Sequence, residues 1–71
     1  MVTAYFVFDG DNYETVCPTL TEAKSTIREY NIINEKYEDT EHCYHIEVGT
    51  LTEEQAMFEW GDNWREDYKE A

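Results

Sequence analysis

The sequence predicts an α+β domain: a three-stranded antiparallel sheet and two helices, in the order β-β-α-β-α. Three observations carry that expectation. Residues 3–8 and 13–17 are β-branched and aromatic runs on either side of Asp9-Gly10-Asp11-Asn12, the pattern of a β-hairpin. The tetrapeptide Thr-Leu-Thr-Glu occurs twice, at 19–22 and 50–53, each time where an extended run gives way to helical spacing. Residues 43–48 alternate, with Tyr44, Ile46 and Val48 on one side and Cys43, His45 and Glu47 on the other. A chain of 71 residues that is 41% apolar and 15% aromatic has room for one domain, residues 1–71, and enough burial capacity to fold.

Each element follows from its residues. The first strand is apolar on both faces, which suits the centre of a sheet and favours the order 2-1-3. Pro18 stops the second strand, and Thr19 with Glu22 reads as a capping box. Leu20, Ala23, Ile27 and Tyr30 then share one helical face, and the first helix should end near Asn31. Residues 31–42 form a polar, acidic connection carrying Ile32, Ile33 and Tyr37. Gly49 should end the third strand, and the second Thr-Leu-Thr-Glu should open the second helix. There Met57, Trp60, Trp64 and Tyr68 fall on a single stripe that Gly61 could break.

Both helices are expected on the sheet face of Phe6, Phe8, Val16, Tyr44, Ile46 and Val48. The opposite face would then be uncovered, and Tyr5, Val7, Tyr13 and His45 become a possible second interface, for a partner or a homodimer.

Little in the chain points to catalysis or to a cofactor. Asp9-Gly10-Asp11-Asn12 opens like a calcium loop, but Tyr13, Glu14 and Leu20 stand where that loop needs an oxygen ligand, a glycine and a glutamate. His42, Cys43, His45 and Cys17 are zinc-ligand types without a second matched pair, and strand alternation sends His42 and His45 to opposite faces. No Ser/His/Asp or Cys/His spacing stands out, and so small a domain has little volume for a desolvated carboxylate pair. The expectation is a non-enzyme with no metal and no cofactor. Two cysteines make no disulfide framework, no apolar run reaches membrane-spanning length and no signal peptide is evident, so a cytoplasmic protein is expected.

Charge is the strongest signal. Seventeen acids against five Lys and Arg give a formal net charge of −12. Residues 1–28 contribute −2 and residues 29–71 contribute −10. Such a surface is repelled by nucleic acid and anionic lipid and attracted to proteins with basic grooves. The candidate partner-binding residues are Glu35, Glu38, Asp39 and Glu41 in the connection, and Glu54, Glu59, Asp62, Trp64, Glu66, Asp67 and Glu70 in and after the second helix. Trp64 and Tyr37 are the candidate anchors. On an uninterrupted helix Glu59, Asp62, Glu66 and Glu70 would line one side, at a spacing of the order of nucleic-acid phosphates.

In size, charge, aromatic content and clustering of acids the chain resembles the small acidic proteins that phages use as DNA mimics against restriction, CRISPR or repair enzymes. The likeness is one of class, without a shared motif, and no functional residue carries over. It implies an anti-CRISPR or anti-restriction type inhibitor that occupies a basic nucleic-acid-binding site, in the host cytoplasm if phage-encoded.

Overall fold

The computed structural model describes residues 1–39 and 41–65. Its elements are β1 (Val2–Asp9), β2 (Asn12–Cys17), α1 (Leu20–Lys36), β3 (Tyr44–Leu51) and α2 (Glu53–Trp60). The sheet is antiparallel with order β2-β1-β3, as the apolar first strand demands. Gly10, first of the two loop residues of the hairpin, has φ 61, the left-handed value that the tight primed turns require. No helix of the described residues is long and apolar enough to cross a membrane.

The helices do not share a face, which corrects the expected layering. Cross-strand partners lie on the same side of a sheet, and here Val7 faces Ile46 while Tyr5 faces Cys17 and Val48. That side packs under α1, with Val7, Cys17 and Ala23 buried against Ile27, Tyr30, Tyr44 and Ile46. The other side carries Val2, Ala4, Phe6, Val16 and Leu51 and packs under α2 through Ala56, Trp60 and Trp64. Alternation alone cannot say which side of β3 matches which side of β1. The register decides it, and a one-residue difference exchanges the faces. Tyr44, Ile46 and Val48 therefore belong with Tyr5 and Val7, not with Phe6 and Phe8. A bulge in β2 between the partners of Val7 and Phe8 adds a second exchange, placing Tyr13 beside Phe8 and Thr15 beside Val7.

The helix boundaries also move. α1 runs to Lys36 instead of ending near Asn31. Its last turns are held by tertiary contacts to β3, a Tyr30–Tyr44 ring pair at 5.3 Å and a 2.7 Å hydrogen bond from Asn34 Nδ2 to Tyr44 Oη. Thr19 is its N-cap as expected, accepting from the Glu22 N–H at 3.1 Å.

β3 continues through Gly49 to Leu51, with Gly49 opposite Ala4 of β1; the Phe6 ring lies across the glycine, where a Cβ would stand 2.7 Å from its Cε2. The second N-cap is consequently Thr52 instead of Thr50. Thr52 Oγ1 accepts from the Gln55 N–H at 3.1 Å, and Gln55 Oε1 accepts from the Thr52 N–H at 2.9 Å, a reciprocal capping box. α2 stops at Gly61, whose φ of 88 no other residue type adopts readily. The stripe of Met57, Trp60 and Trp64 is thus not continuous, and Tyr68 lies outside the described residues. Trp60 still anchors the helix, donating from Nε1 to the Val16 carbonyl at 2.9 Å.

Candidate protein-binding surface

The end of α1 is built by a left-handed cap without glycine. The Glu38 N–H bonds to the Glu35 carbonyl at 3.1 Å and the Asp39 N–H to the Asn34 carbonyl at 2.7 Å, with Glu38 itself at φ 58. These are the two bonds of a Schellman motif, in which glycine usually takes the left-handed position. Holding a glutamate there costs about 1–2 kcal/mol.

The cap aims Asp39 at His42, and His42 ties the whole end of the domain together. Its Nδ1 bonds Asp9 Oδ2 at 2.5 Å and its Nε2 bonds Asp39 Oδ2 at 2.8 Å. Asp9 Oδ1 also accepts from the Cys43 N–H at 3.0 Å, and the His42 ring stacks on Tyr44 at 5.6 Å. Two carboxylates bonded to one imidazole favour its charged form, so the His42 pKa is pushed up to about 9. The hydrogen bond from His42 in turn lowers the pKa of both Asp9 and Asp39. His42 is charged at neutral pH, so the chain is one unit less negative than its formal charge. The clamp joins α1, the hairpin and the start of β3, and it borders a shallow hollow lined by Asn31, Asn34, Glu35, Asp39 and His42.

Around this clamp the surface combines apolar and acidic groups. Ile32, Ile33 and Tyr37 project from the last turns of α1, Tyr37 being 73% exposed. Glu35, Glu38, Asp39 and Glu41 are all exposed beside them. Glu35, Glu38 and Asp39 belong to the helix end and its cap, and Glu41 comes just before the clamp histidine.

The other expected residues are dispersed. Glu54 and Glu59 are exposed on α2, where they line a second hollow with Leu51, Gln55 and Phe58. α2 covers the opposite face from α1, so these acids lie on a different side of the sheet from Glu35–Glu41. Asp62 follows the helix break at Gly61, so the row from Glu59 through Asp62 does not form on one helix. Glu66, Asp67 and Glu70 lie outside the described residues.

Trp64 is not an exposed anchor. It is 5% exposed, packs on Val2 and Ala56, and carries Arg65 over its ring at 5.2 Å. Gly61 turns the chain so that the tryptophan folds back onto the sheet.

The possible second interface is also divided. Tyr5 and Val7 lie under α1, with Val7 fully buried, because α1 took the face expected to be bare. Tyr13 and His45 lie on the α2 side and stay exposed there. There Phe8 stacks on His45 at 5.4 Å and meets Tyr13 edge-on at 6.1 Å.

Among the described residues no group of three or more His, Cys, Asp or Glu side chains is arranged to hold a metal ion. Cys17 is buried, its thiol pushed up by burial, while Cys43 is exposed. The components of the clamp that sequence reasoning missed are Asp9, Asn34 and the structural use of His42. Asp9 and His42 are 33 positions apart, and no local pattern links them. The helical extension did leave a signal, since Tyr30, Ile33 and Tyr37 keep 3- and 4-residue spacing past Asn31.

Comparison with protein-family models, with curated proteins and with solved structures finds no match for this chain.

Proposed function

We propose that this chain is a non-catalytic, protein-binding inhibitor whose α1 end enters the basic nucleic-acid-binding groove of a partner protein. The observation that carries the reading is the composition of that end: exposed Tyr37, Ile32 and Ile33 set among Glu35, Glu38, Asp39 and Glu41. Acids alone steer a partner and raise the association rate, whereas desolvated aromatic and aliphatic anchors supply most of the affinity. The surface carries both. The His42 clamp holds the acidic cap in one geometry, which lowers the ordering cost of binding.

Direct contact with nucleic acid or an anionic membrane is opposed by the same charge. Glu53, Glu54 and Glu59 of α2 add to the long-range field and form a second acidic zone on another side. The reading places the chain in the cytoplasm with its target, as a DNA-mimic inhibitor of the anti-restriction or anti-CRISPR type.

The test is capture of partners from a lysate of the source organism on the immobilised chain, at low and at moderate salt, with identification of what elutes. A nucleic-acid-binding protein retained at low salt and shed at moderate salt is the expected result. Reversing Glu35, Glu38 and Glu41 together to Lys should weaken its binding by about tenfold or more. Unchanged affinity of the reversed variant would overturn the proposal.

A further inference from the structure

The two outer edges of the sheet are finished differently. β2 presents six residues, broken by the bulge and closed by Pro18, and its Val16 carbonyl already accepts the Trp60 indole N–H. Such devices blunt an edge. β3 presents eight residues in continuous register with β1.

The Gly10 N–H donates to the Cys43 carbonyl at 3.0 Å, and this bond sets the phase of the ladder. His45, Glu47, Gly49 and Leu51 turn their N–H and C=O groups to β1. Tyr44, Ile46, Val48 and Thr50 turn theirs outward. The same strand leaves Val48 68% exposed on one face and sets His45 and Glu47 side by side on the other, 3.4 Å apart.

We propose that β3 pairs antiparallel with β3 of a second copy of this chain, about a two-fold axis at Ile46. In this register Ile46 faces Ile46 of the second copy and Tyr44 faces its Val48, all in hydrogen-bonding phase. The exposed Val48 is thereby covered. On the opposite face each His45 meets a Glu47 of the other copy, so an imidazole stands beside a carboxylate and no two carboxylates face each other, twice by the symmetry.

Neighbouring two-fold registers fit less well. An axis at Glu47 sets that carboxylate against itself. An axis at Val48 sets Ile46 against Thr50 and leaves Glu47 opposite Gly49. The dimer is a six-stranded sheet in the order β2-β1-β3-β3-β1-β2, without an open β3 edge. Each copy is strongly negative, so long-range repulsion opposes assembly and salt relieves it. That dependence is opposite in sign to the salt dependence of binding a basic groove, so the two proposals fail independently.

Sedimentation equilibrium of the full chain, over a concentration series at low and moderate salt, tests this together with amide exchange. The expected mass rises from one chain to two as concentration and salt increase. The Tyr44, Ile46 and Val48 amides should slow by about tenfold or more in the dimer, and those of His45 and Glu47 should change much less. Val48→Pro removes an outward N–H and no bond to β1. Val48→Lys changes only the side chain. Both variants should remain monomeric, the second with its circular dichroism unchanged. A monomer at the highest concentration in both salts would overturn the proposal, as would a dimer whose outer β3 amides exchange as fast as in the monomer.

Discussion

One helix is too long for the sheet face it covers and the other is too short. α1 has 17 residues, about 26 Å of helix, and α2 has 8, about 12 Å. α1 closes its face over Val7 and Cys17 and then carries Ile32, Ile33 and Tyr37 into solvent. α2 covers Val2, Ala4 and Val16 but leaves Tyr13 and His45 exposed on either side of a half-buried Phe8. The spare length of α1 becomes acidic, apolar surface available to a partner. The shortfall of α2 shifts the closing of its own core onto a residue beyond the helix, Trp64.

That contrast can be broken most severely at Trp64. A domain of this size has a total stability of about 4–10 kcal/mol, and truncating a buried tryptophan costs about 3–5 kcal/mol. Trp64→Ala should remove about 3–5 kcal/mol, a large share of that total, read by urea denaturation. Val7→Ala, on the α1 side, should cost about 2 kcal/mol, because one small side chain is lost from a face that a long helix still covers. If the two losses came out equal, the unequal cover would not govern stability.

The cap of α1 offers a change in the opposite direction. Glu38→Gly relieves the left-handed strain and should stabilise the fold by about 1 kcal/mol, seen as a raised melting temperature. Destabilisation would mean that the glutamate side chain contributes more than its backbone costs. Smaller still, Tyr37→Ala should alter stability by no more than about 0.5 kcal/mol while weakening partner binding.

The His42 clamp adds a pH dependence of defined sign. The His42 pKa is raised from its ordinary 6.5 to about 9, so its contribution is complete below 6.5 and is lost as pH rises through 9. The lowered pKa values of Asp9 and Asp39 act oppositely, giving stability that is present above the ordinary 3.8 and lost on acidification. The difference in melting temperature between the native chain and His42→Gln should be greatest between about pH 4 and 6.5 and should fade above pH 9. A difference independent of pH would mean that the ring acts only through its stacking on Tyr44.

Much of the fold was legible in local patterns. The hairpin, the element order, the strand order and the Thr19 cap all follow from residue types within a few positions of one another. What was not legible depended on register or on distant partners. The faces of β3 hinge on which residue of β1 stands opposite Ile46, and the β2 bulge moves Tyr13 across the sheet. The end of α1 was hidden because Glu38 fills a position where glycine is the usual marker. The start of α2 was displaced because Gly49 stays opposite Ala4 of β1, far away in sequence, so the strand runs on past it. At the candidate site the acids were visible as composition, but their division between two sides of the sheet was not. Gly61 hinted at the break that buries Trp64.

Displacement of nucleic acid from a captured partner shows whether the α1 end occupies a site built for nucleic acid, as proposed. Once a partner is captured, a labelled duplex or single strand is bound to it and the intact chain is titrated in. Mutually exclusive binding is the expected result: the chain releases the nucleic acid stoichiometrically, less well as salt rises, and the variant with Glu35, Glu38 and Glu41 reversed does not release it. A ternary complex of partner, nucleic acid and chain, formed equally well by the reversed variant, would contradict it.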